Sequence, residues 1–110
     1  MYCLALESFT SDLSSLEDGS TLLGGCNSLK SFNADLSSLT TATKMFSGTK
    51  LSSFDIPVDN LTSAYGMFNS CDALTSFNSD LSNLTNGRYM FNKCSSLTSF
   101  NSDLNSLTDG

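Results

Sequence analysis

The chain has 110 residues, with eleven acidic and five basic side chains, no histidine and a net charge of −6. The bases Lys30, Lys44, Lys50, Arg88 and Lys93 are scattered, so the clustered footprint of a nucleic-acid binder is missing and anionic membrane surfaces are disfavoured. No apolar run reaches the length of a membrane-spanning helix, and Met1–Leu6 lacks the basic and long apolar regions of a signal peptide.

An apolar content of 39% with abundant Ser, Thr and Asn resembles the composition of a disordered tract. The phasing of Leu and Phe argues against disorder, because the chain repeats itself. With Leu set as position 0, the units are anchored by Leu6, Leu29, Leu51, Leu74 and Leu97, separated by 23, 22, 23 and 23 residues. Position +2 is always Ser (Ser8, Ser31, Ser53, Ser76, Ser99) and +3 always Phe (Phe9, Phe32, Phe54, Phe77, Phe100). Position +7 is Leu or Val and +10 is Leu in every unit. Positions +16 and +17 are Leu22-Leu23, Met45-Phe46, Met67-Phe68 and Met90-Phe91. Three residues before an anchor lies Cys3, Cys26, Cys71 or Cys94. The third unit is one residue short between Phe46 and Leu51, and it has lost its Cys.

Columns of this kind arise when equivalent residues of successive coils stack about 4.8 Å apart. The expected architecture is one α/β-type or mostly-β repeat solenoid. It has about five coils, spanning residues 1–25, 26–48, 49–70, 71–93 and an incomplete 94–110. In each coil the Ser-Phe-Asn-Ser-Asp stretch alternates polar and apolar and predicts a short parallel strand, with +3 and +5 inward and +2, +4 and +6 outward. Asp-Leu-Ser-Ser-Leu then predicts a turn capped by the Asp at +6. The Met-Phe pair predicts a short helical or 3₁₀ turn closing the far side. The phenylalanines and the cysteines form the core columns, each Phe meeting two others.

These columns resemble the BspA-like, treponemal-type leucine-rich repeats, and are also similar to the Phe-Asn repeats of mycoplasma-type surface lipoproteins. Ile56-Pro57 looks like the Ile-Pro of the BspA-like pattern, and Met67-Phe68 with Cys71 looks like its Ala-Phe-x-x-Cys. Asp stands in place of Pro at +6 in four units. The resemblance implies a curved leucine-rich-repeat solenoid with its strands on the concave face. It also implies a non-enzymatic module for protein interaction or adhesion at a bacterial or phage surface.

The cysteines fall one per coil with no His nearby, a poor zinc pattern. A buried thiol column and Cys3–Cys26 or Cys71–Cys94 bridges between adjacent coils are both compatible with the spacing. Asp12, Asp35, Asp80 and Asp103 read as turn caps or as carboxylate pairs for a cation. No base stands ready beside a Ser or Cys nucleophile, no phosphate loop is present, and no cofactor is expected. The concave face supplies the binding candidates: Ser31, Asn33, Asp35, Ser76, Asn78, Asp80, Ser99, Asn101 and Asp103. Their repetitive hydrogen-bonding chemistry suits an extended protein or glycan ligand. Their uniformity also suits a scaffold, and Met1 at +18 and Gly110 at +13 nearly continue one register, the pattern of head-to-tail self-association.

Overall fold

The computed structural model describes residues 5–110, with extents of 37 × 31 × 20 Å. Met1 to Leu4, and with them Cys3, lie outside the described residues. Each unit contributes one short strand at the predicted Ser-Phe: β1 (Ser8–Thr10), β2 (Ser31–Asn33), β3 (Ser53–Phe54), β4 (Ser76–Phe77) and β5 (Ser99–Phe100). All pairings are parallel and join equivalent positions, Phe9 to Phe32, Phe54 to Phe77 and Phe77 to Phe100. A β-branched or aromatic run is too short here to hold a strand alone. Stacking on the next unit holds it, and the alternation decides which side faces in.

The strand ladder is not continuous. It divides into a two-stranded sheet, β1-β2, and a three-stranded sheet, β3-β4-β5. The break falls at the one-residue deletion. Elsewhere the +1 amide of a unit donates to the +1 carbonyl of the unit before, as from Lys30 to Glu7 and from Thr75 to Ser52. At the short unit the Lys50 amide donates instead to the Leu29 carbonyl at 2.8 Å, and no bond joins the Ser53 or Asp55 amide to the Lys30 or Phe32 carbonyl. Register is set by chain length between anchors, so removing one residue displaces the strand that follows.

A second ladder bypasses the break. Position +12 forms parallel bridges through all five units, from Asp18 to Thr41, Ser63, Asn86 and Asp109. The preceding threonines reinforce it: the hydroxyls of Thr62, Thr85 and Thr108 donate to the carbonyls of Thr40, Thr62 and Thr85.

The Met-Phe segment departs from expectation. No α- or 3₁₀-helix forms among the described residues. Alternate amides are claimed by different partners. Leu22, Gly24 and Cys26 donate locally to Gly19, Thr21 and Leu23, closing single turns, while Thr21, Leu23 and Gly25 donate to Thr43, Met45 and Ser47 of the next unit. A helix needs local bonds from consecutive amides, and the neighbouring unit takes every second one. The result is a turn ribbon paired from unit to unit. Its geometry needs positive φ at two positions, +15 (Thr21 60°, Lys44 55°, Gly66 60°, Tyr89 57°) and +19 (Gly25, Gly48, Ser70, Lys93). A side chain at φ > 0 costs about 1–2 kcal/mol relative to glycine, and β-branched Thr21 is the least suited. Thr21→Gly is therefore expected to stabilise the fold by about 1 kcal/mol, raising Tm by roughly 4 °C in a thermal melt.

The core lies between strand ladder and turn ribbon. Leu at 0 and +10, Leu or Val at +7 and Met at +16 are buried throughout the middle units, together with Ala42, Ala64, Phe46 and Phe68, and Phe91 is half-buried. The phenylalanines form two columns, +3 and +17, joined edge to face. Phe46, Phe68 and Phe91 stack at 5.4 and 5.7 Å, and Phe54, Phe77 and Phe100 at 5.8 and 5.6 Å. Phe68 meets Phe54 and Phe77 nearly perpendicularly. The expected unbroken +3 stack stops between Phe32 and Phe54, where the strands separate. Phe46 fills in, edge-on to Phe32 at 4.8 Å and tilted against Phe54 at 5.4 Å. The cysteine column does not lapse at the deletion either. Thr49 occupies that place, fully buried, its hydroxyl 3.5 Å from the Cys71 thiol.

Candidate functional site

The nine predicted binding residues come together on the strand side, where the backbone alternation turns +2, +4 and +6 outward. All are exposed except Ser76, which is half-buried. Their chemistry separates them into two groups. The Asp side chains serve their own turns. Asp12, Asp35, Asp80 and Asp103 each accept from the backbone amide two residues on, that of Ser14, Ser37, Ser82 or Asn105, at 2.9 to 3.1 Å. Hydrogen bonds from Ser14 and from Ser37, side chain and then backbone, hold the Asp12 and Asp35 carboxyls below the ordinary carboxylate range, although Asp12 opposes the shift at Asp35. Ser31, Asn33, Ser76, Asn78, Ser99 and Asn101 engage no side-chain hydrogen bond and present free donors and acceptors. Asn78, Asp80, Asn101, Ser102 and Asp103 line a shallow open groove at the β4-β5 end of this face.

Lowered Asp pKa values give a pH dependence of defined sign. A carboxyl whose folded pKa lies below its unfolded value stabilises the fold at pH above the unfolded pKa, about 3.9. That contribution is lost as pH falls through the folded pKa. Asp12, Asp18, Asp35 and Asp72 share this direction, so Tm is expected to be flat near neutrality and to fall steadily below about pH 4 in an acid titration followed by circular dichroism.

Cys71 and Cys94 are free thiols. The Cys71 and Cys94 sulfurs donate to the Phe46 and Phe68 carbonyls at 3.1 Å, each reaching back one unit to a turn-ribbon carbonyl. The contemplated Cys71–Cys94 bridge is therefore not formed, and Cys3–Cys26 lies outside the described residues. Burial pushes the Cys71 thiol up and the Cys94 thiol to about 11. Only the thiolate reacts, so alkylation by iodoacetamide at pH 8 is expected to be at least tenfold slower for folded than for unfolded protein, read by mass spectrometry.

Two features were not assigned as sites from the sequence. One is the cleft at the broken junction, lined by Lys30, Ser31, Phe32, Leu51, Ser53, Phe54, Asp55 and Ile56; a 22-residue spacing signalled it. The other is an aromatic cluster on the turn ribbon. Tyr89 is 50% exposed, Tyr65 meets it edge-on at 5.6 Å, and the Arg88 guanidinium sits 5.4 Å from its ring centre. No three His, Cys, Asp or Glu side chains among the described residues are grouped to hold a metal ion, and no helix there is long and apolar enough to cross a membrane.

Five short strands in two parallel ladders, a Leu/Phe core and a polar strand face define a leucine-rich-repeat-like protein. The profile of the BspA type leucine rich repeat region matches residues 1–109 in six copies. This chain belongs to the BspA-type leucine-rich-repeat family. No curated protein and no solved structure matches it.

Proposed function

We propose that this chain is a non-enzymatic protein-interaction module, a leucine-rich-repeat solenoid that presents its strand face to a protein ligand. The reading rests on one observation above all. The stack holds Ser31, Asn33, Ser76, Asn78, Ser99 and Asn101 as outward side chains with no internal hydrogen bond, ready to pair with a partner rather than with the fold. Family membership supports an interaction role. A bacterial or phage surface location and an adhesive role belong to the same proposal, by likeness of fold.

The test is a screen of immobilised matrix proteins and glycans by biolayer interferometry. Saturable binding to a protein, weakened by Asn78→Ala and Asn101→Ala at unchanged Tm, is the expected result. Saturable binding to glycans alone, or to nothing, overturns the reading.

Head-to-tail self-association is the second reading, favoured by the constant polarity of the ladders. On the strand side each unit donates to the unit before it, and on the turn ribbon each donates to the unit after it. The two faces of a unit are thus complementary, and a further copy stacks in register. Concentration-dependent assembly in sedimentation velocity supports this reading, and a constant monomer sinks it.

A further inference from the structure

We propose that the turn ribbon carries a second docking surface, formed by Lys44, Tyr65, Arg88 and Tyr89, that takes an acidic, extended segment of a partner polypeptide. The proposal rests on the interaction-module reading but not on the strand face.

Charge is segregated around the coil. Ten of the eleven carboxylates lie at positions +1 to +12, with Lys30 as the only base there. Positions +13 to +21 carry Lys44, Lys50, Arg88 and Lys93 against one carboxylate, Asp72, which Lys50 pairs at 2.7 Å. The ribbon of a chain with net charge −6 is thus locally positive. At physiological ionic strength the Debye length is about 8 Å, short against a molecule 31 Å by 20 Å across. Carboxylates far around the coil are screened from whatever sits on the ribbon; the nearby groups that act on Arg88 are Tyr89 first and then Asp109.

The four residues are contiguous. The Lys44 amide donates to the Tyr65 carbonyl, the Gly66 amide to the Arg88 carbonyl, and the Lys44 stem passes beside Gly66. Lys44 and Arg88 stand two units apart, about 10 Å, the reach of about three extended residues. Between them lie the tyrosines. The backbone holds Tyr89 at φ 57°, a conformation a bulky side chain enters only at a cost, and does so with half its surface exposed. Tyr and Arg are also the residues that most often anchor protein interfaces, and Arg88 over the Tyr89 ring preorganises both. The tyrosine rings stand at 85° to each other. They offer no common flat platform for a sugar ring, and they stand between two cations.

The probe is a fluorescein-labelled peptide of about twelve alternating Glu and Gly residues, titrated with the full chain in about 0.1 M salt and read by anisotropy. Expected is saturable binding, weakened about fivefold or more by Arg88→Ala and by Tyr89→Gly. Tyr89→Gly also relieves the positive-φ strain, so a Tm that does not fall shows that the lost binding is not lost folding. Asn78→Ala with Asn101→Ala leaves the affinity unchanged, which separates this surface from the strand face. No saturation at millimolar concentration, or an unchanged affinity in Tyr89→Gly, overturns the proposal. So does an oligogalacturonate that binds these residues more tightly than the peptide, because the partner is then an acidic glycan.

Discussion

Phe68→Ala is expected to cost about 3–5 kcal/mol, close to the whole stability of a small domain. Phe68 is fully buried and touches four other rings, stacking on Phe46 and Phe91 and meeting Phe54 and Phe77 edge-on. Its removal opens a cavity between two repeat interfaces at once, and the rings around it belong to stacks that cannot collapse without moving both ladders. Equilibrium urea unfolding reads the change, and a largely unfolded variant at room temperature is within the expected range. Phe100 is the contrast. It occupies the same column type as Phe77 but is 42% exposed, so Phe100→Ala is expected to cost about 1 kcal/mol or less. Equal losses at the two sites contradict the stacking account.

The second large effect is a gain. Inserting one Asn between Thr49 and Lys50 restores the 23-residue period, in the manner of Asn27 after Cys26. The following strand then shifts into the register of the other units. The Ser53 and Asp55 amides meet the Lys30 and Phe32 carbonyls, and the two sheets become one. Each backbone bond contributes about 0.5–1.5 kcal/mol net. Two gained bonds give about 2 kcal/mol, and Tm rises by about 8 °C. The Lys50–Asp72 pair is exposed on both sides, so its disturbance offsets little of this. A lower Tm for the insertion shows that the break is not a defect of register.

Strand positions and inward columns were legible in the sequence because period and alternation encode them directly. Ser-Phe marks each of the five strands, and Ile56 at +5 packs against the core as expected. The far side was not legible. A Met-Phe pair followed by Ser or Asn is compatible with a helical turn, and only the neighbouring unit's claim on alternate amides decides against it. That is a property of the stack, invisible within one repeat. Thr49 in the cysteine column escaped for a related reason. The missing residue looked like a loss of the column, whereas it falls after that column, and Thr fills the thiol's volume with a hydroxyl in reach of sulfur.

For the candidate site, sequence placed the nine polar residues on one face, and in the structure three of them, Asp35, Asp80 and Asp103, cap their own turns. Asp at a turn start reads equally as a cap or as a ligand. The short bonds from Ser37 to Asp35 and from Ser82 to Asp80 resolve that ambiguity toward capping. The tyrosine–arginine cluster was the hardest to foresee, since Tyr65 and Tyr89 differ by one position in the repeat and meet only because the ribbon turns one toward the other.

The chain is a parallel stack whose strand ladder is broken at one junction while the ladders beside it run through. Amide hydrogen exchange, read residue by residue by NMR, tests it most directly. The account predicts slow exchange at Asn78 and Asn101, which donate to Phe54 and Phe77, and at Ala42, Lys44 and Ala64 on the turn ribbon. It predicts fast exchange at Ser53 and Asp55, where β3 meets no partner in β2. Protection at Asp55 equal to that at Asn78, or no protection at Ala42 and Lys44, contradicts it.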